Sequence, residues 1–235
     1  MATEEQENPR QHSEWITDYG QYTFQQLEGD DFYLTPEDFI PKAPPPRGKL
    51  DRPPAKESAI PALLFLGIAL LLSITAWNST VPFQLGISKY SFFTLGDYWR
   101  AVSALFMHAD ISHFLSNSWL LIIFGWLLYD QGGHRAFPTI PLIYGALTNI
   151  STVYRYPEHV FLVGASGMVY GMVGFWLVLF LKYSKDPLNH RLMRATAFIL
   201  IILMPTTFRQ EVSYSAHAIG FVLGVCFAIP FKISK

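Results

Sequence analysis

Val163 to Gly174 read V-G-A-S-G-M-V-Y-G-M-V-G, and the apolar run they open continues to Leu181. With its flanks this run is long enough to cross a bilayer as a helix, with Ser166 at its entrance. After Ser166 the only other hydroxyl before Leu181 belongs to Tyr170. A second polar intruder, His217, lies in the C-terminal apolar run A-H-A-I-G-F-V-L-G-V-C-F-A-I-P. Ionisable side chains inside membrane spans are rare and usually functional. A serine and a histidine on facing helices are the parts of a nucleophile and its base.

Working outward, the whole chain reads as an all-α, polytopic membrane protein. Its 235 residues are 51% hydrophobic and 16% aromatic, and mean hydropathy is +0.24, too apolar and too clustered for a soluble domain. A net charge of −1 gives no sign of a nucleic-acid partner, and the single Cys226 can form no internal disulfide. The first apolar segment begins only near Ile60, so no cleavable signal peptide is expected. Residues 1–58 read as a separate, flexible tail, acidic and aromatic at first and then Pro-rich and basic. Residues 59–235 read as the membrane domain.

Six spans are expected: Ile60 to Trp77, Ile111 to Tyr129, Ala136 to Val153, Ser166 to about Leu181, Leu192 to Phe208, and Tyr214 to Phe231. The long connection from Asn78 to Asp110 is too polar to span and too aromatic for a simple aqueous loop, which suggests an interfacial structure. Basic residues gather in the tail (Lys42 to Lys56), in the turns holding Arg135 and Lys182 to Arg194, and at Lys232 and Lys235. The opposite loops hold only Lys89, Arg100, Arg155 and Arg209. By the positive-inside tendency both termini are expected in the cytoplasm.

That topology starts spans two, four and six on the outer side. His113 and Asn117, Ser166, and His217 then share one depth just below the outer surface. His217, Gly220 and Gly224 fall on one stripe, and Gly167, Gly171 and Gly174 form a matching smooth strip beside Ser166. Spans four and six are therefore expected to pack closely. His113 and Asn117, one helical turn apart, are candidate donors to an oxyanion together with the Ser166 backbone N–H. His108, in the connecting segment, reads as a hydrogen-bonding anchor.

These residues together resemble the rhomboid family of intramembrane serine proteases. The resemblance runs through Trp99-Arg100, His108 followed by H-F-L-S-N (His113 to Asn117), G-A-S-G (Gly164 to Gly167) with Tyr170, and A-H-A-I-G-F-V-L-G (Ala216 to Gly224). It implies a six-helix bundle with a Ser166–His217 dyad, Tyr170 against His217, and His113 and Asn117 near the oxyanion. It also implies transmembrane protein substrates cleaved at or within their spans, in a bilayer and without a cofactor. The family's glutamate four residues after the F-G of span two is replaced here by Tyr129, with Asp130 next.

Other readings fare less well. Asp97 and Asp130 resemble aspartyl-protease motifs but would lie on opposite sides of the membrane. A zinc site from His108, His113 and His217 lacks an H-E-x-x-H motif, so no metal is expected. An inactive rhomboid-like protein that binds or escorts membrane clients is the alternative, opposed by the presence of both Ser166 and His217. A bacterial inner membrane is the expected location.

Overall fold

A computed structural model describes residues 50, 52–79, 85–203 and 213–233, with backbone only for 198–203. All of them lie in one of two units of the chain, Pro45–Lys235. The expected tail up to residue 49, the end of span five and the crossing Arg209 to Val212 lie outside the described residues.

The described residues are helical apart from turns and one isolated antiparallel bridge, Ile87 to Leu162. Helix α1 is Ile60–Trp77, the short α2 is Arg100–Ser103 and α3 is Ile111–His134, followed by α4, Ile140–Val153. Then come α5, Ser166–Tyr183, α6, Leu188–Leu203, and α7, Tyr214–Ala228. Among the described residues three helical stretches are long and apolar enough to cross a membrane: Lys56–Trp77, Ile111–Val153 and Ser166–Tyr183. The apolar Tyr214–Ala228 is shorter.

Ile111–Val153 spans 43 residues, which at 1.5 Å per residue is about twice the thickness of a hydrocarbon core. Two residues break it. Gly133 sits at φ 60°, ψ −155° and Phe137 is extended at φ −153°, ψ 131°. After the break Phe137 is fully buried and lies against the glycine face of Gly125, in the middle of α3. The chain has therefore turned back. The turn D-Q-G-G-H-R expected from the sequence is later than supposed, because Asp130, Gln131 and Gly132 still belong to α3. Similarly α6 starts at Leu188, ahead of the expected Leu192, so Arg191 and Arg194 are helical.

Burial follows a stripe on each helix. On α1 the buried positions are Ala62, Phe65, Leu66, Ala69 and Ser73, spaced as one helical face. The other face, with Leu63, Leu64, Ile68 and Leu71 more than half exposed, is as apolar as the first, which suits lipid rather than water. Helix α5 is central, with ten buried residues and contacts to α3, α4, α6 and α7. Its pairing with α7 is the most extensive in the fold.

That pairing is made by missing side chains. A Cβ on Gly220 would lie 1.9 Å from the Gly167 carbonyl oxygen, and one on Gly224 1.9 Å from that of Gly171. The backbones meet directly, as small-residue stripes permit in membranes. The buried column of α7 is Ala216, Gly220, Gly224 and Ala228, and His217 stands at its edge, half-buried. At the far end, Lys182 Nζ donates to the carbonyls of Ile229 and Phe231, at 2.8 and 3.0 Å, and fastens the end of α7 to the end of α5.

The stretch before α1 is held against α3. Asp130 Oδ1 accepts from the Ala55 N–H at 2.9 Å and from the Ser58 hydroxyl at 3.2 Å, and Arg52 approaches its other oxygen at 3.7 Å. Trp126 Nε1 donates to the Ala55 carbonyl at 2.6 Å. The Asp130 side chain is 4% exposed, so this carboxylate serves as the local anchor beside Tyr129.

Candidate active site

Ser166 opens α5, and its position depends on the turn before it. Gly164 has φ 110°, a region L side chains avoid, and its N–H donates to the Ala104 carbonyl at 2.9 Å. A Cβ there would lie 2.6 Å from His113 Cε1 and 2.8 Å from Nε2. The glycine is thus demanded twice, by backbone conformation and by the imidazole packed on it. The loop G-A-S is pressed against the first turn of α3.

His217 is in the first turn of α7. Its ring stacks on Tyr170, with centroids 4.0 Å apart and planes 9° from parallel. Tyr170 is one helical turn beyond Ser166 on α5. A Cβ on Gly167, the next residue after Ser166, would be 3.3 Å from the Ala216 carbonyl. Ser166 and His217 therefore occupy facing first turns of the closest helix pair. No hydrogen bond joins Ser166 and His217 among the described residues.

The third wall is the start of α3. Asp110 caps this helix by accepting the His113 N–H at 2.8 Å. Asn117 is buried, and its Nδ2 donates to the His113 carbonyl at 3.0 Å, which leaves its second N–H for another acceptor. Ser116 is exposed, and its hydroxyl donates to the same carbonyl at 2.8 Å.

His108 is an anchor. Its N–H donates to Ser73 Oγ at 3.0 Å, its carbonyl accepts from Trp77 Nε1 at 2.8 Å, and Nδ1 lies 3.5 Å from Ser73 Oγ. The ring is 1% exposed, with Nε2 unpartnered. Burial pushes its pKa down to about 3, helped by His113 and opposed by Asp110, so at neutral pH the imidazole is uncharged. The Trp99-Arg100 pair organises the same segment. Arg100 Nε donates to Asp97 Oδ2 at 2.8 Å and Nη1 to the Gly86 carbonyl at 3.0 Å, and the guanidinium lies 4.7 Å from the Trp99 ring centre.

Sequence reasoning missed Ser73, Trp77 and Asn149. Asn149 Nδ2 donates to the Ala101 carbonyl at 2.9 Å and holds α2 against α4. None of the three stands alone as His217 does: Ser73 has Thr75 beside it, Trp77 precedes Asn78 and Ser79, and Asn149 lies among Thr148, Ser151 and Thr152, so no local pattern singles them out. Among the described residues no group of three or more His, Cys, Asp or Glu is arranged to hold a metal.

A bundle of apolar helices with a polar cluster at the entrances of three of them defines a helical integral membrane protein. The Rhomboid domain family matches residues 95–233, more than half of the chain, and the chain belongs to the rhomboid family. It is 28% identical over 165 residues to YdcA of Bacillus subtilis (strain 168), which carries a rhomboid name, covering 69% of this chain and 79% of that one. RHOMBOID-like protein 2 of Arabidopsis thaliana is 33% identical over 54% of this chain and 40% of its own. Rhomboid-related protein 1 of Caenorhabditis elegans is 28% identical over 64% of this chain and 44% of its own.

Proposed function

We propose that this protein is an intramembrane serine endopeptidase that cleaves membrane-anchored proteins at or within their transmembrane segments through a Ser166–His217 dyad. The observation that carries this reading is the meeting of the first turns of α5 and α7, with the His217 ring stacked on Tyr170 at 4.0 Å. Membership of the rhomboid family supports it.

In this reading the His217 imidazole takes the Ser166 proton as Oγ adds to the scissile carbonyl carbon. The tetrahedral oxyanion receives hydrogen bonds from the free N–H of Asn117, from His113 and from the Ser166 backbone N–H, donors of a kind often worth several kcal/mol. Collapse breaks the C–N bond and His217 returns the proton to the leaving amine. Water, activated by the same imidazole, then hydrolyses the acyl-enzyme. A carboxylate is not required to orient the ring, because stacking on Tyr170 does so. The substrate enters unwound, since a helix keeps its peptide bonds hydrogen-bonded.

The proposed architecture has six spans, to which α1, α3, α4, α5, α6 and α7 belong, with the connection before α3 interfacial on the outer side. The protease domain is proposed as 59–235, with the stretch from Arg52 to Ser58 held on α3, and both termini are proposed in the cytoplasm, as the basic residues favour. A bacterial cell membrane is the proposed location, in keeping with YdcA, a bacterial relative. The test is cleavage of a reporter transmembrane protein in proteoliposomes. Wild type is expected to give two fragments cut at or inside the span, and Ser166→Ala and His217→Ala none. Intact reporter with wild-type protein would contradict the proposal and favour a client-binding role.

A further inference from the structure

The glycine stripe that draws α7 onto α5 fixes how close the helices come, but smooth faces offer no knobs to set rotation about the α7 axis. The reach of a side chain from a helix axis is about 6 Å, so a 10° rotation would carry the His217 ring through about 1 Å. Displacements of that size at a reacting group can cost about a hundredfold in rate. The Tyr170 stack orients the ring itself, and the backbone that carries it needs a hold of its own on the first turn of α7.

Ser213 holds it from inside the chain. Its side chain caps the helix by accepting the Ala216 N–H at 3.3 Å, and its carbonyl accepts the His217 N–H at 3.2 Å. Both bonds move with Ser213. What ties Ser213 to the rest of the fold is Tyr156, whose hydroxyl lies 2.6 Å from Ser213 Oγ. A further contact of 3.3 Å runs to Ser215 Oγ. Because Ser213 Oγ uses a lone pair on the Ala216 N–H, the phenol is well suited to donate into its second lone pair, leaving the serine proton for Ser215.

Tyr156 is itself well anchored. It is half-buried and follows α4, with its N–H on the Val153 carbonyl at 3.1 Å. Val153 is fully buried. Pro157 comes next, which narrows the backbone choices of Tyr156. A hydroxyl chain thus runs from the end of α4 to the residue that accepts the His217 amide.

We propose that Tyr156 is a positioning residue for His217, acting through Ser213. This rests on the dyad reading above. The experiment uses full-length protein in detergent, with a fluorophosphonate probe, a transmembrane reporter substrate, thermal melts and amide hydrogen exchange. Tyr156→Phe deletes one oxygen and keeps the ring. It is expected to lower kcat and the Ser166 labelling rate roughly fivefold, about the worth of one hydrogen bond. KM and Tm should stay near wild type, while the Ala216 and His217 amides exchange faster. Ser213→Ala should act in the same direction, Ser213→Thr should retain most activity, and Tyr156→Phe with Ser213→Ala should be no slower than Ser213→Ala alone.

Labelling and turnover within twofold of wild type in Tyr156→Phe would overturn the tether, as would independent, multiplicative losses in the double variant. A loss of activity matched by a lower Tm and unchanged amide exchange in α7 would overturn it too, reducing Tyr156 to a packing residue. Wild-type protein that never labels at Ser166 would instead bring down the dyad reading and the tether with it.

Discussion

Gly220→Ala adds one methyl group at the closest point of the α5–α7 contact. The new Cβ would stand 1.9 Å from the Gly167 carbonyl oxygen, where real Cβ atoms essentially never come within 3.0 Å, so the backbones must part by about 1 Å or more. The obstacle is main chain on both sides, with no flexible side chain to step away. A gap of that size forfeits a quarter to a half of the dispersion energy of each facing atom pair, and overpacking of this kind costs about 1–3 kcal/mol. Against it stands the better helix propensity of alanine, up to about 1 kcal/mol. The net expectation is about 1 kcal/mol of destabilisation, or roughly 2–4 °C in Tm for a chain of this length. Gly67→Ala is the control, since a Cβ there meets nothing within 4 Å, and its Tm should not fall. Both are read by thermal melts in detergent, with fluorophosphonate labelling in the same samples, where Gly220→Ala should also be slow because His217 lies one turn away. A Gly220→Ala protein that melts within a degree of wild type would refute the reasoning, because it would mean that the two backbones are not in contact.

The site and the fold carry further expectations. Asp130→Ala leaves the Ala55 N–H and the Ser58 hydroxyl without their acceptor and should cost about 2 kcal/mol, as hydrogen bonds to a charged group do. Trypsin should then cut faster after Lys56, since Pro53 blocks cleavage after Arg52, and an unchanged digestion rate would contradict the anchor. His108 has its folded pKa below its unfolded value of 6.5, so the unfolded chain binds the extra proton between those values and stability rises with pH across that window. Its contribution is complete above about pH 6.5 and shrinks by about 2 kcal/mol near pH 5. His108→Gln should flatten the dependence of Tm on pH in that range, and an equally steep profile would count against a buried neutral ring. Gly164→Ala forces both a positive φ and a clash with His113, so Ser166 labelling should fall at least tenfold, and normal labelling would show that the G-A-S turn is free to move.

The helices were legible where an apolar run had sharp ends. Ile60 to Trp77 was expected and found residue for residue, because Pro61 starts the helix and Asn78 follows its last apolar residue. The α3–α4 boundary was misplaced because Gly132-Gly133 looked like the turn. The first glycine stays helical with Ala136 and Phe231 packed on it, and only the second takes the positive φ. The start of α6 was misplaced because its first turn is polar, with His190 and Arg191 standing where hydropathy reads a loop. For the candidate site, Ser166 and His217 stand out as polar residues in apolar runs, whereas His113 and Asn117 lie in a polar first turn and are singled out by depth and by their one-turn spacing. Their supports were not legible, since the reach of Tyr156 to Ser213 across 57 residues and of Asp130 to Ala55 across 75 depends on tertiary placement that no local pattern encodes.

Mass-spectrometric mapping of a fluorophosphonate adduct on the full-length protein in detergent puts the chemistry to the most direct test. The adduct is expected on Ser166 alone, to be absent from Ser166→Ala, and to form far more slowly in His217→Ala although that variant still melts cooperatively. Modification of a different residue, or labelling of His217→Ala at the wild-type rate, would contradict a hydroxyl activated by that imidazole.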